Sequence, residues 1–227
     1  GFSEVGKVHA EKQQGTTKRA IYVVFDNSGS MYGDGNKAWS QATYAMEVFA
    51  AMMNYESGDV MKVFPMHDIT TDGNTGSATK SSMEIRGKDD IAQIHNMYTP
   101  KPGGTPYTQV NNAAGELTKL LNAGSVDEGW LVVLTDGDFD NDIPASGLKA
   151  DLEGKAAANE NLYVQYLAIG TDVKNIPEGN ADKGLYAQKA GNTSEVVNEL
   201  AEISNRIFKR NEYAGYSSED SGLEFDI

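Results

Sequence analysis

The chain has no cysteine. Disulfide frameworks, zinc–thiolate sites and cysteine nucleophiles are therefore excluded. Histidine is scarce as well: His9, His67 and His95 are scattered along the sequence, and no Ser-His-Asp order around them suggests a hydrolytic triad. No apolar run approaches the roughly 18 residues of a membrane span. Basic residues are few beside acidic ones, 19 Lys and Arg against 33 Asp and Glu, giving a formal net charge of -14 and a pI near 4.6. Nucleic acid and anionic membrane surfaces are held by clustered Lys and Arg. Neither is expected as a partner, and no membrane insertion is expected from this segment. A surplus of carboxylates suits a protein that handles cations. Internal repeats, low-complexity tracts and a secretory signal pattern are not visible.

What is present fits one sizeable α/β domain: 227 residues, 39% of them hydrophobic. "AIYVVF", Ala20 to Phe25, is a short continuous apolar run, the mark of a strand buried on both faces. After a glycine-rich loop, Trp39, Ala42, Met46, Phe49 and Met53 recur every three or four positions, which predicts an amphipathic helix over Lys37 to Asn54. Met46, Met52, Met53 and Met61 suit core filling. "VMKVFPM", Val60 to Met66, predicts a second strand, with Pro65 at its end or near a sheet edge. Turn formers crowd Thr70 to Ser77, and "SMEIR", Ser82 to Arg86, can return as an antiparallel edge strand. A short helix over Lys88 to Asn96 follows, then the loop "TPKPGGTPYT", then a helical stripe from Val110 to Leu121. "WLVVLTD", Trp130 to Asp136, is the strongest buried strand. A weaker helix around Gly147 to Asn159 leads to strands at Leu162 to Gly170 and Leu185 to Ala190. A closing helix over Asn192 to Arg210 carries the stripe Val196, Leu200, Ile203, Ile207, and Asn192 with Glu195 forms a capping-box pattern. Strands alternating with helices predict a doubly wound, mostly parallel sheet with one antiparallel edge strand and helices on both faces.

Two of these strands end in an aspartate, Asp26 and Asp136. In open parallel sheets ligands bind beyond the carboxyl ends of strands, where strand order switches. If the two strands are neighbours there, the aspartates converge. Asp26, Ser28 and Ser30 are spaced two apart, which in an extended segment points them the same way. One carboxylate and two hydroxyls then share a side. These are hard oxygen donors, suited to Mg²⁺, Mn²⁺ or Ca²⁺. With only two carboxylates in the set, the ion keeps an affinity for a further anionic ligand.

"DNSGS" at Asp26 to Ser30 matches the DxSxS pattern of von Willebrand factor type A domains, "GGTPYT" resembles that family's threonine loop, and "LTDGD" resembles its aspartate loop. The three stand in the family's order. The resemblance implies a Rossmann-like von Willebrand type A domain over residues 18 to 210, after an N-terminal extension of residues 1 to 17 and before an acidic tail of residues 211 to 227. It implies a metal-ion-dependent adhesion site made of Asp26, Ser28, Ser30, Thr105 and Asp136. Ser28, Ser30 and Thr105 would contact one divalent cation through hydroxyls, and Asp26 and Asp136 would contact it directly or through water. Mg²⁺ is the first expectation, with Mn²⁺ and Ca²⁺ as alternatives. The implied partner is a protein supplying a carboxylate. Tyr32 and Tyr107 flank the expected site, as partner-facing aromatics or as packing.

Other readings meet obstacles. "DGDFDND", Asp136 to Asp142, imitates a calcium loop of the EF-hand type, but Asn141 replaces the turn glycine and Gly147 stands where a bidentate glutamate is needed. A phosphohydrolase of the haloacid dehalogenase type also begins with an Asp after an apolar strand, but it needs a second Asp two residues on, where this chain has Ser28. The same fold also serves intracellular subunits that work beside an ATPase in complex assembly or metal insertion, and a cytoplasmic home would follow from that alternative. The expectation favoured here is a non-enzymatic, metal-dependent interaction domain of a bacterial surface or secreted protein. The tail ends in "GLEFDI", with strand-like alternation, so the natural polypeptide is expected to continue past Ile227.

Overall fold

The computed structural model describes residues 17–67, 82–97 and 105–209. The elements run β1 (Arg19–Phe25), α1 (Gly33–Met52), β2 (Val60–Pro65), β3 (Met83–Ile85), α2 (Lys88–Met97), α3 (Thr108–Asn122), β4 (Glu128–Thr135), α4 (Ala145–Ala156), β5 (Leu162–Ile169), β6 (Leu185–Ala190) and α5 (Thr193–Phe208). The strands form one sheet in the order β3-β2-β1-β4-β5-β6. All neighbours are parallel except β2 and β3, where Met61 pairs with Ile85 in antiparallel register.

Alternation along the strands sends side chains to two cores. Ile21, Val23, Phe25, Trp130, Val132 and Leu134 face α1, α2 and α5. Tyr22, Val24, Leu131, Val133 and Val164 face α3 and α4. Every residue of β4 and β5 is buried, as expected for central strands covered on both sides. The chain winds outward in one direction through β2 and β3 and in the other through β4, β5 and β6. The switch point therefore lies between β1 and β4, the two strands that end in Asp26 and Asp136.

Several boundaries differ from those predicted, each for a local reason. α1 begins at Gly33 rather than Lys37, because a 3-10 turn over Gly29–Tyr32 already coils the chain into it. Pro65 occupies the last position of β2, where losing its N–H costs little. β2 itself lies inside the sheet, with β3 as the edge. The predicted turn segment Thr70–Ser77 and most of the threonine loop lie outside the described residues, as do residues 1–16 and 210–227. α4 ends at Ala156, and its stripe is narrow: Leu148, Leu152 and Ala156 alone are buried. Asn192 caps α5 by accepting from the Glu195 N–H at 2.9 Å, and Glu195 accepts from the Gly191 N–H at 2.6 Å. Among the described residues, no helix is long and apolar enough to cross a membrane.

Candidate functional site

β1 and β4 pair in parallel up to Phe25 and Leu134. The pairing continues one step further, with the Asp26 N–H donating to the Leu134 carbonyl at 2.8 Å. Asp26 is thus delivered to the sheet's carboxyl end as a fully buried residue beside Asp136, itself 7% exposed. Asn27 locks the exit of β1 to the exit of β2: its amide accepts from the His67 N–H at 2.8 Å and donates to the His67 carbonyl at 3.3 Å.

Beyond Asp26 the chain turns and folds its polar side chains onto one another. The Ser28 N–H donates to Asp26 Oδ1 at 2.9 Å. The Ser28 and Ser30 hydroxyls lie 3.1 Å apart, and Ser30 Oγ donates to Asp136 Oδ2 at 2.5 Å. Asp26, Ser28, Ser30 and Asp136 therefore form one continuous polar chain. Thr105, 3% exposed, is joined to the aspartate loop. Its N–H donates to Asp140 Oδ1 at 2.8 Å, and the Asp140 N–H donates to its carbonyl at 2.9 Å. Among the described residues no hydrogen bond joins Thr105 directly to the other four. What ties it to the site is the aspartate loop.

That loop is held open by a glycine. Gly137 has φ +84°, and a Cβ there would stand 1.7 Å from the Lys174 carbonyl oxygen. Only glycine allows the Lys174 N–H to reach the Asp136 carbonyl at 2.8 Å. Thr135, buried at the end of β4, takes a role that the sequence motif does not display. Its hydroxyl donates to Asp26 Oδ2 at 2.8 Å and accepts from the Gly137 N–H at 3.1 Å. It orients the carboxylate that the DxSxS motif supplies, and its place directly before Asp136 was the available clue.

The electrostatics are those of two acids forced together. Burial, and then the Asp136 carboxylate, push the Asp26 carboxyl up to about 6, against the lowering effect of hydrogen bonds from Ser28 and Thr135. Among the described residues neither acid has a cationic partner in an ion pair. Tyr166 on β5 feels the same charge: its hydroxyl is raised by burial and by Asp26 and Asp136, and it lies buried without a hydrogen-bond partner among the described residues. Two carboxylates without a counter-cation, set among neutral hydroxyls, fit a hard divalent ion by donor type and charge. Among the described residues no group of three or more Asp, Glu or His is placed to hold a metal ion by itself, so any ion here depends on hydroxyl and solvent oxygens as well.

The flanking tyrosines are engaged in packing. Tyr32 stacks on Trp39 at 5.1 Å between centroids. The Tyr107 hydroxyl donates to Asp151 Oδ2 at 2.6 Å, and its ring meets Phe139 edge-on at 5.4 Å.

Sheet order, the antiparallel edge and the loop positions define the von Willebrand factor type A fold. Solved structures with this fold agree. Proximal thread matrix protein 1 from the mussel byssus superposes with a TM-score of 0.54 at 14% identity over 85% of this chain and 46% of its own. The same protein with a zinc-occupied MIDAS motif superposes with a TM-score of 0.53 at 15% identity, over 83% of this chain and 46% of its own. The SpaC pilus adhesin of Lactobacillus rhamnosus GG gives 0.54 at 15% identity over 87% of this chain and 31% of its own. The chain thus spans less than half the length of these proteins. No family model matches the sequence, and no curated protein matches it either.

Proposed function

We propose that this chain is a metal-dependent protein-interaction domain of the adhesion type. One divalent cation, held by Asp26, Ser28, Ser30, Thr105 and Asp136, engages an acidic group of a protein partner. The carrying observation is the pair of acids at the switch point, Asp26 fully buried and Asp136 nearly so, linked through Ser28 and Ser30 and lacking a cationic partner among the described residues. Mg²⁺ is the favoured ion, because the donors are hard oxygens and a site with few protein anions leaves coordination positions to water and to the partner. The binding reading is favoured over hydrolysis because the position two after Asp26 carries a serine, which cannot act as the acid/base of a phosphohydrolase.

Likeness of fold to a pilus adhesin and a byssus matrix protein supports placing the domain in a secreted or surface protein. A bacterial surface protein is the source favoured here. The domain is placed at residues 18–210, between the N-terminal extension of residues 1–17 and the acidic tail of residues 211–227.

Isothermal titration of Mg²⁺ and Mn²⁺ into the wild type and Asp26→Ala tests the site. Saturable binding by the wild type and its loss in the variant are expected; equal affinity in both would sink the assignment. Capture of immobilised Asp-containing peptides in Mg²⁺, but not in EDTA, tests the partner chemistry.

A further inference from the structure

Beside the two acids a cavity of about 390 Å³ opens between the first turns of α1, the end of β5 and the start of α5, and Ser30 and Asp136 form part of its wall. Gln41 lines it too. That side chain is 7% exposed, and its Oε1 is buried with no hydrogen-bond partner among the described residues. An orphaned buried acceptor is unfavourable unless something else comes to satisfy it. Lys37, Ala38 and Gln41 fall on one face of α1 by their spacing of three and four, so the amide belongs to the same wall as the cavity.

The rest of the lining is small and close to neutral. Gly33, Ala38, Gly170 and Gly191 leave the wall bare of large side chains. At Gly170 a Cβ would stand 3.7 Å from Ala38 Cβ and 4.0 Å from Asp136 Cβ, filling space next to the acid. At the rim Lys37 and Lys174 balance Asp138 and Asp172, with Lys174 Nζ 3.8 Å from Asp138 Oδ2. Asp136, the one lining charge left without a rim counterpart, is committed to the proposed cation, so the slot beside it does not select a second ion. It selects an uncharged group with an N–H to give.

We infer that this cavity is a specificity subsite, and that it takes the amide-bearing residue next to the partner's metal-bound acid: Asn or Gln adjoining an Asp or Glu. The inference rests on the proposed metal reading, because the acid anchors the peptide at the cation. The neighbouring side chain then enters the slot and donates to Gln41 Oε1. The terminal torsion of glutamine is soft, so the oxygen can turn into the cavity to meet it. Gln41 lies outside the three loops of the motif, and its burial is what singles it out.

The test uses the full chain in Mg²⁺ with immobilised pentapeptides in which a central Asp is fixed and its two neighbours vary. The wild type is expected to favour Asn or Gln over Ala beside the Asp by about three- to tenfold, the effect of one net hydrogen bond. Gln41→Leu, a substitution of similar size, is expected to lose that preference while still capturing Asp peptides in Mg²⁺. Gln41→Glu is expected to move the preference toward Lys and Arg. Titration of Mg²⁺ alone is expected to be equal in the wild type and Gln41→Leu. If Mg²⁺ fails to bind the wild type, the metal reading falls and this inference with it. If Mg²⁺ binds and the neighbour preference is missing, or persists in Gln41→Leu, the subsite is overturned and the metal reading stands. Mg²⁺ binding without any peptide capture overturns the subsite likewise.

Discussion

Asp26→Asn should make the metal-free protein more stable at neutral pH. In the fold burial, and then Asp136, push the Asp26 carboxyl up from its ordinary 3.8 to about 6. The folded state therefore holds a proton that the unfolded state releases, and stability falls as pH rises between those values. Below about pH 4 both states are protonated and the penalty is absent; above about pH 6 it is complete, about 3 kcal/mol from the full shift. Asparagine keeps the acceptor for the Ser28 N–H and carries no charge. Its amide must now donate to Thr135 Oγ1, which reverses a 2.8 Å bond and forfeits part of the gain. The expected net stabilisation in EDTA at pH 7.5 is about 1–3 kcal/mol, or about 2–10 °C in Tm for a domain of this size. At pH 4.5 most of the difference should vanish. Saturating Mg²⁺ should reverse the order, because the wild type gains about 4.1 kcal/mol at a thousandfold excess over Kd and the variant gains nothing. Scanning calorimetry at the two pH values, with and without Mg²⁺, measures all four states. A variant that is less stable than the wild type in EDTA at pH 7.5, with the same deficit at pH 4.5, would refute the reasoning.

Three further substitutions probe the supports around the site. Gly137→Ala forces a Cβ into the Lys174 carbonyl at a positive φ, and should cost more than about 2 kcal/mol in urea unfolding while weakening Mg²⁺ binding by displacing Asp136. Thr135→Val removes the hydroxyl that orients Asp26 and should lower Mg²⁺ affinity about 10–100-fold, as loss of a partner behind a ligand does; unchanged affinity would show that Asp26 needs no such support. At the far end of the sheet, Glu128 is 1% exposed, accepts from the Trp130 indole N–H at 2.7 Å and lies 3.7 Å from Arg19 Nε and 3.3 Å from Lys209 Nζ. Glu128→Ala should cost about 3 kcal/mol of stability, because two cations lose a buried counter-charge, and should leave Mg²⁺ affinity unchanged.

The fold was legible where a strand reads as a continuous apolar run. β1, β4 and β5 are buried on both faces, so hydrophobicity alone marks them. Asp26 and Asp136 were legible for the same reason, since each is the first charge after such a run. Helix starts were less visible: α1 begins four residues before the predicted start at Lys37, because Gly33 and Gly35 in its first turn are exposed and add nothing to the apolar stripe. The convergence of Ser30 and Asp136 depends on which strands are neighbours, a fact that spacing along one segment does not contain. Thr135 and Gln41 escaped because their roles are three-dimensional. A threonine inside "WLVVLTD" reads as strand, and a glutamine one turn into a helix reads as surface. Only burial, with one hydroxyl bonded to Asp26 and one amide oxygen without a partner among the described residues, separates them from their neighbours.

The central claim is that five oxygen-bearing residues from three loops hold one cation. Anomalous diffraction from crystals of this chain grown with Mn²⁺ tests it most directly. A single strong peak is expected within coordination distance of the Ser28, Ser30 and Thr105 hydroxyls, with Asp26 and Asp136 bound directly or through water. A Mn²⁺ peak elsewhere on the molecule, with the Ser30–Asp136 hydrogen bond still intact, would contradict it.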